Sequence, residues 1–483
     1  MSISAKPRIA IVGGGIAGLS AAWQFQKAIG ANRFDVKVFE SGTEPGGVLK
    51  TEFDQGFLIE SSADMFVSQP DHAMKLCGEI GFTDDLIGTN PVGQRAYIVS
   101  GKKLLPVPQG LSLMLPSRIR SLLESELLSV DGRARFLKER FVSPLESDQD
   151  ESFEQFAVRR FGREAFEKIF QPLVGGIYTA DSAKLSMRAC LQRFVDLEKE
   201  HGSLIAAGRK GNKSDKQSSG ARYGLFNAPR EGFSSLVSHL VKRLTDVTIS
   251  CSQRVTKIES DGRLWALTIA ASDGSQTSET FDSVIMATPA RVAGRLLSEC
   301  DNQLSQKLGR IPYASSAVVA LGCADDAFAS LPSGFGFVVP ESENRPIIAC
   351  SFSSNKFAGR APEGHTLMRV FLGGAKRPEL VDLEDDSLIE LAATQLNELI
   401  GLQSEKIKLK RVFRWRETMP QYHVGHVQLV DEIFAAASKL PGIELAGASY
   451  RGVGIPACVE SGKLAAERVV EFFGPSSLGR GSG

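Results

Sequence analysis

A chain of 483 residues, 42% apolar and 23% charged, is long enough for two or three hydrophobic cores and too apolar for wholesale disorder. Lysine plus arginine and aspartate plus glutamate number 56 each, so no global field draws in nucleic acid or an anionic membrane. Any attraction for an acidic ligand must be local.

In chain order, residues 8–12 read as a strand, 16–28 as a helix and 34–40 as a second strand, together a compact β-α-β unit. Between strand and helix runs Gly13-Gly14-Gly15-Ile16-Ala17-Gly18, a Gly-x-Gly-x-x-Gly placed where a dinucleotide site demands it. Gly13 suits the tight turn, Gly15 lets the backbone approach a pyrophosphate, and Gly18 permits close helix-strand packing. The helix N-terminus offers free N–H groups and a partial positive charge to the phosphates. Glu40 closes the second strand 22 residues after Gly18, in position to accept hydrogen bonds from a ribose. NAD and FAD share this fingerprint. Gly46-Gly47 offers a second close approach to a pyrophosphate, which suits the larger FAD, although taken alone the pair is equally a plain turn.

Residues 111–200 are rich in Leu, Arg and Glu, with aromatic residues at helical spacing, and read as a mainly helical insertion. Residues 208–220 carry almost no apolar group and a basic bias, so a mobile, solvated loop is expected. Strands follow at 248–258, 264–269 and 281–289, and the runs within 313–375 suggest a second sheet. A short strand at 442–447 leads through a glycine-rich loop into a helix over 457–472, with Pro456 at its first turn. That helix start could stabilise negative charge on a reduced flavin. Residues 474–483 read as a flexible tail.

The seven cysteines are scattered and include no Cys-x-x-Cys pair, which points to a reducing, cytoplasmic setting. The six histidines show no metal-ligand spacing beyond His423 and His426, which have no supporting Cys or carboxylate cluster, so no metal is expected. No apolar run approaches the roughly 20 residues that span a bilayer. A peripheral contact through an amphipathic helix would leave no such run.

Three further segments carry a resemblance. Gln171-Pro-Leu-Val-Gly-Gly-Ile-Tyr-Thr-Ala-Asp-Ser-Ala-Lys-Leu-Ser-Met187, Met419-Pro-Gln-Tyr-His-Val-Gly-His426 and Gly447-Ala-Ser-Tyr-Arg-Gly-Val-Gly-Ile-Pro-Ala-Cys458, with the N-terminal fingerprint, resemble the FAD amine oxidase superfamily. Within it the chain is similar, over nearly all its length, to the oxygen-dependent porphyrinogen oxidases of haem biosynthesis. The Gly-Val-Gly-Ile-Pro and Met-Pro-Gln-Tyr runs look more like the bacterial coproporphyrinogen III oxidases than the protoporphyrinogen oxidases.

The resemblance implies an α/β fold: a Rossmann-like FAD domain from residues 1–92, 223–298 and 437–474, a mainly helical insertion at 93–222 and a mixed-sheet substrate domain at 299–436, with 475–483 as tail. It implies FAD contacts at Gly13, Gly14, Gly15, Ile16, Ala17, Gly18, Glu40, Ser41, Gly47, Val48, Ser62, Ala63, Asp64, Met65, Val255, Trp415, Val453, Gly454 and Ile455. Two departures bear on these positions: residues 59–64 lack the Gly-Pro pair usual before the Asp, and Ala457 stands where an acidic residue is common. Arg95 matches a family arginine that anchors a propionate, Tyr178 lies in the segment that closes one side of the substrate cavity, and Arg451 is a second candidate cation. The implied reaction takes hydrogen from a porphyrinogen to the flavin, with dioxygen as acceptor; it needs positioning more than an acid-base pair, so no catalytic side chain is assigned. Homodimerisation and a peripheral membrane contact stay open. So do a flavin amine oxidase or carotenoid desaturase and, in a different class, a non-redox flavin isomerase or a flavin-binding protein without turnover.

Overall fold

The computed structural model describes residues 6–28, 33–145, 149–211 and 225–474. Its first layer is a five-stranded parallel sheet, ordered Val247–Ser250, Asp35–Phe39, Arg8–Val12, Ser283–Met286 and Ile443–Leu445. The strands come from three distant stretches of chain, because a parallel neighbour cannot be reached by a hairpin and needs a crossover. Alternation along the central strand explains its position: Ile9 and Ile11 enter one core while Ala10 and Val12 enter another, so both faces are covered. On the first face lie helices Ile16–Ala28 and Ile455–Phe472, and on the second Ala290–Leu296, Asn302–Gly309 and His426–Ala437.

A seven-stranded mixed sheet forms the second layer, ordered Ile407–Pro420, Tyr313–Ala324, His365–Gly373, Ile347–Phe352, Gly336–Val338, Tyr97–Ser100 and Lys103–Pro106. Helix Asp385–Ile400 covers the face that carries Val99, Phe337 and Val370. Ile98 and Val338 point the other way, into a phenylalanine-rich core built by the helices between 119 and 211, with Phe136, Phe153, Phe156, Phe161 and Phe170 fully buried. The α/β class with a Rossmann-like domain and a mixed sheet is therefore as read from the sequence.

Local details differ. The stretch expected to be helical from 93 opens with two strands that extend the mixed sheet, since Tyr97 and Ile98 pair with Phe337 and Val338. Gly208 to Gly211, read as the start of a polar loop, instead finish helix Leu204–Gly211, and the rest of that loop lies outside the described residues, as does the tail from 475. The strand expected over 248–258 breaks at Ser252, whose φ is +54°, into one parallel strand and one that joins a separate antiparallel sheet. Among the described residues no helix is long and apolar enough to cross a membrane.

Candidate cofactor and substrate site

The turn after the first strand is shaped by what its glycines lack. Gly13 has φ +110° and donates its N–H to Phe39 O at 2.8 Å, and a Cβ on Gly18 would sit 2.0 Å from Gly13 O. These two are packing requirements. Gly15 is different, because a Cβ there would meet no protein atom within 4 Å. It faces Gly47, whose own Cβ position is 3.3 Å from Gly15 Cα, and Gly46 N–H donates to Gly14 O at 2.8 Å. Two glycine turns thus meet at the head of helix Ile16–Ala28, leaving open space of the kind a pyrophosphate fills.

Glu40 lies beside this space. Its carboxylate accepts N–H donors from Gly14 at 2.8 Å and Gly42 at 2.6 Å, so it ties the first turn to the end of the second strand. Oε1 also accepts the Ser41 hydroxyl at 3.3 Å, and Oε2 keeps a further lone pair for a ribose hydroxyl. Next to it a cavity of about 400 Å³ is lined by Val12, Gly13, Phe39, Ser41, Val255 and Pro289. Val255 sits where the ladder to the neighbouring strand shifts register, an irregularity of the kind that turns backbone toward a ligand. Phosphate turns, a ribose acceptor and an adjoining cavity together fit a dinucleotide.

Segment 61–65 is fixed from several sides. Trp415 Nε1 donates to Ser61 O at 2.8 Å, the Ser62 hydroxyl donates to Val48 O, and Arg369 donates to Ser62 O. Asp64 pairs with Lys356 at 3.0 Å and Arg369 at 3.2 Å. Burial alone would raise its pKa, but the Lys356 and Arg369 charges outweigh burial and hold it at about 2. Glu60 goes the other way: burial pushes it up to about 7, despite hydrogen bonds from Phe233 N–H and Thr51. Val48, Ser62, Asp64 and Trp415 are thereby brought together, with Ala63 and Met65 in the same turn. The sequence reading missed Lys356 and Arg369. Arg369, alone among the apolar residues of strand His365–Gly373, was a visible signal of a buried ion pair.

The third motif closes the site from the C-terminal side. Tyr422 donates its hydroxyl to Ala448 O and accepts the Gly452 N–H at 2.9 Å, while its ring stacks on His426 with centroids 3.9 Å apart. His426 Nε2 lies 2.8 Å from Tyr450 O, and burial holds its pKa below the ordinary value. Segments 419–426 and 447–455 therefore form one unit. Helix Ile455–Phe472 begins after Gly454 with no side-chain cap, which leaves its first N–H donors to a ligand. Val453 and Gly454 precede that start, and Ile455 is buried in the core beside helix Ile16–Ala28.

Of the three substrate candidates, Tyr178 ends helix Gln171–Tyr178 and donates its hydroxyl to Cys190 O at 3.2 Å; burial raises its pKa. Gln421 donates to Tyr178 O at 3.2 Å, which joins this segment to the 419–426 unit. Arg451 turns instead to the surface, where it pairs with Asp431 at 2.8 Å over the Phe434 ring. Arg95 is exposed and lines a separate, larger cavity of about 1230 Å³.

The family model described as flavin containing amine oxidoreductase matches residues 16–470. A coproporphyrinogen III oxidase of Bacillus subtilis (strain 168) is 32% identical over 97% of this chain and 99% of its own length. The chloroplastic protoporphyrinogen oxidase 1 of Spinacia oleracea is 30% identical over 96% of this chain and 84% of its own. A solved structure from Exiguobacterium sp. 255-15 superposes with a TM-score of 0.83 at 27% identity, covering 97% of this chain and 99% of that one.

Proposed function

Because the chain belongs to the flavin containing amine oxidoreductase family, it is an FAD-dependent oxidoreductase, and we propose that it oxidises coproporphyrinogen III to coproporphyrin III with dioxygen as acceptor. The observation that carries this reading is the near end-to-end similarity to the Bacillus subtilis enzyme. Similarity to the spinach enzyme supports protoporphyrinogen IX as the second reading.

FAD held here would supply the two-electron acceptor for hydrogen taken from a methylene bridge, with dioxygen as the final acceptor. The chain's own part is binding and orientation. The turns at Gly13–Gly15 and Gly46–Gly47 hold the pyrophosphate, Glu40 the ribose, and the turn 61–65 with Trp415, Val48 and the 453–455 helix start holds the reactive end. Burial of Lys356 and Arg369 against Asp64 keeps that turn from shifting, because freeing either cation would strand a charge in the interior. Tyr178 closes one wall, and Arg95 offers a cation to a propionate.

The test is a two-substrate assay on the flavin-loaded protein, following porphyrin fluorescence and oxygen uptake without nicotinamide. Faster oxidation of coproporphyrinogen III supports the proposal. Preference for protoporphyrinogen IX moves the protein to the sister activity, and porphyrin from neither substrate sinks the assignment.

A further inference from the structure

The cavity beside Arg95 is larger than the roughly 300–1,000 Å³ of ordinary small-molecule sites, at about 1230 Å³, and its charges do not balance. Among the described residues four arginines and two glutamates line it: Arg95, Arg118, Arg120, Arg209, Glu124 and Glu126. Both carboxylates have partners already, Glu124 in Arg120 at 2.7 Å and Glu126 in Lys103 at 4.0 Å. Arg95, Arg118 and Arg209 have no ion-pair partner among the described residues. Three unmatched guanidiniums therefore face one space.

Distant stretches of chain bring them there. Arg95 sits just ahead of strand Tyr97–Ser100, at one end of the mixed sheet, and Arg118 immediately precedes the short helix Ile119–Leu123. Arg209 stands in the last turn of helix Leu204–Gly211, which lies hard against Leu115–Pro116: a Cβ on Gly208 would be 2.2 Å from Pro116 O. Only a glycine lets that helix come close enough to set Arg209 beside the segment that carries Arg118. None of the segments expected to hold FAD lines this cavity, so its cations do not serve the flavin phosphates.

We propose that Arg95, Arg118 and Arg209 form a binding site for a ligand with several carboxylates, and that Arg118 and Arg209 select the tetrapyrrole with more of them. The inference rests on the function proposed above. Guanidinium is the side chain suited to paired, fork-like recognition of carboxylate, and three in one cavity exceed what a single propionate uses. Coproporphyrinogen III bears four propionates and protoporphyrinogen IX two, so the added cations reward the former. All three arginines are exposed, so each contact is partly screened by water.

The experiment compares the flavin-loaded parent with Arg118→Ala, Arg209→Ala, the double variant and Arg118→Lys/Arg209→Lys. KM and kcat are measured for both porphyrinogens, and coproporphyrin III binding is followed by its fluorescence at low and high salt. The double alanine variant should raise KM for coproporphyrinogen III on the order of tenfold, from a few-fold per wet ion pair, with a smaller rise for protoporphyrinogen IX and the loss in KM rather than kcat. The lysine variant should recover part of it, and salt should narrow the difference between parent and variant. If the parent oxidises coproporphyrinogen III and the double alanine variant does so with the same KM, or loses both substrates equally, the selectivity assignment is overturned while the function stands. If the parent oxidises neither porphyrinogen, the function itself falls.

Discussion

Gly15 and Gly18 belong to the same fingerprint, yet alanine at each should fail in a different way. Gly15 lies outside the left-handed region and its Cβ would meet no protein atom, so Gly15→Ala should leave the flavin-free protein as stable as the parent. Reduced freedom of the unfolded chain could even stabilise it by about 0.4–1 kcal/mol. The methyl instead occupies the space assigned to the pyrophosphate. Losing one or two charge-assisted N–H contacts, at about 1.5–3 kcal/mol each, corresponds to a loss of FAD affinity of roughly tenfold to ten-thousandfold. At Gly18 the Cβ would lie 2.0 Å from Gly13 O and 3.3 Å from Ala287 Cβ, so helix and turn must part. Overpacking of that kind costs about 1–3 kcal/mol and should lower the melting temperature with or without flavin. The assay is FAD titration by fluorescence quenching on flavin-free protein, with thermal melts of each variant before and after loading. Parent-like FAD affinity in Gly15→Ala, or a flavin-free melting temperature that drops as far as that of Gly18→Ala, would refute the reasoning.

Glu40→Gln should weaken FAD by about 1–3 kcal/mol, because one amide oxygen cannot accept both the Gly14 and Gly42 N–H groups and a ribose; unchanged affinity in the same titration would remove Glu40 from the site. Burial raises Glu60 from 4.5 to about 7, so between those values the folded protein keeps a proton that the unfolded chain releases, and stability falls as pH rises through that window. Glu60→Gln should therefore raise the melting temperature at pH 8, by an amount corresponding to at most about 3 kcal/mol, and change it little at pH 5; an equal shift at both pH values would contradict this. Arg160, fully buried and bonded to Glu139 and to Glu198 at 3.0 Å, should cost about 3–5 kcal/mol when changed to Ala, since two carboxylates lose a buried partner. Denaturant unfolding of the flavin-loaded protein measures that loss, and a loss under 1 kcal/mol would show that Arg159 compensates.

What could be read from the sequence follows how local each feature is. The β-α-β unit and Glu40 lie within one short stretch, where glycine spacing, strand pattern and helix pattern constrain one another, and the strand Arg8–Val12 and helix Ile16–Ala28 stand where the pattern puts them. Tyr97–Ser100 pairs with Lys103–Pro106 through a two-residue turn at Gly101-Lys102, a local hairpin signal that is easily passed over because each strand is only four residues long, while its parallel pairing with Gly336–Val338, far downstream, leaves no local trace. The ion pair of Asp64 with Lys356 joins residues 292 apart, and the three arginines of the large cavity share no motif. Arg451 shows that nearness in sequence does not set direction: it adjoins the glycine-rich motif at 452–454, and its side chain leaves toward Asp431.

Gly462 lies between these cases. A glycine inside a helix costs about 1 kcal/mol relative to alanine, so one in the middle of Ile455–Phe472 signals that something else requires it. The structure supplies the reason: a Cβ there would stand 1.9 Å from the backbone oxygen of Ala17, which lies within the fingerprint itself, next to Gly18. The contact locks the C-terminal helix to the N-terminal one at close range. Both helices start from glycine-rich turns, one at the pyrophosphate space and the other at the uncapped N-terminus after Gly454. A single glycine two turns into the C-terminal helix, eight residues past Gly454, thus sets how the two turns stand to each other, and its propensity cost is the trace it leaves in the sequence.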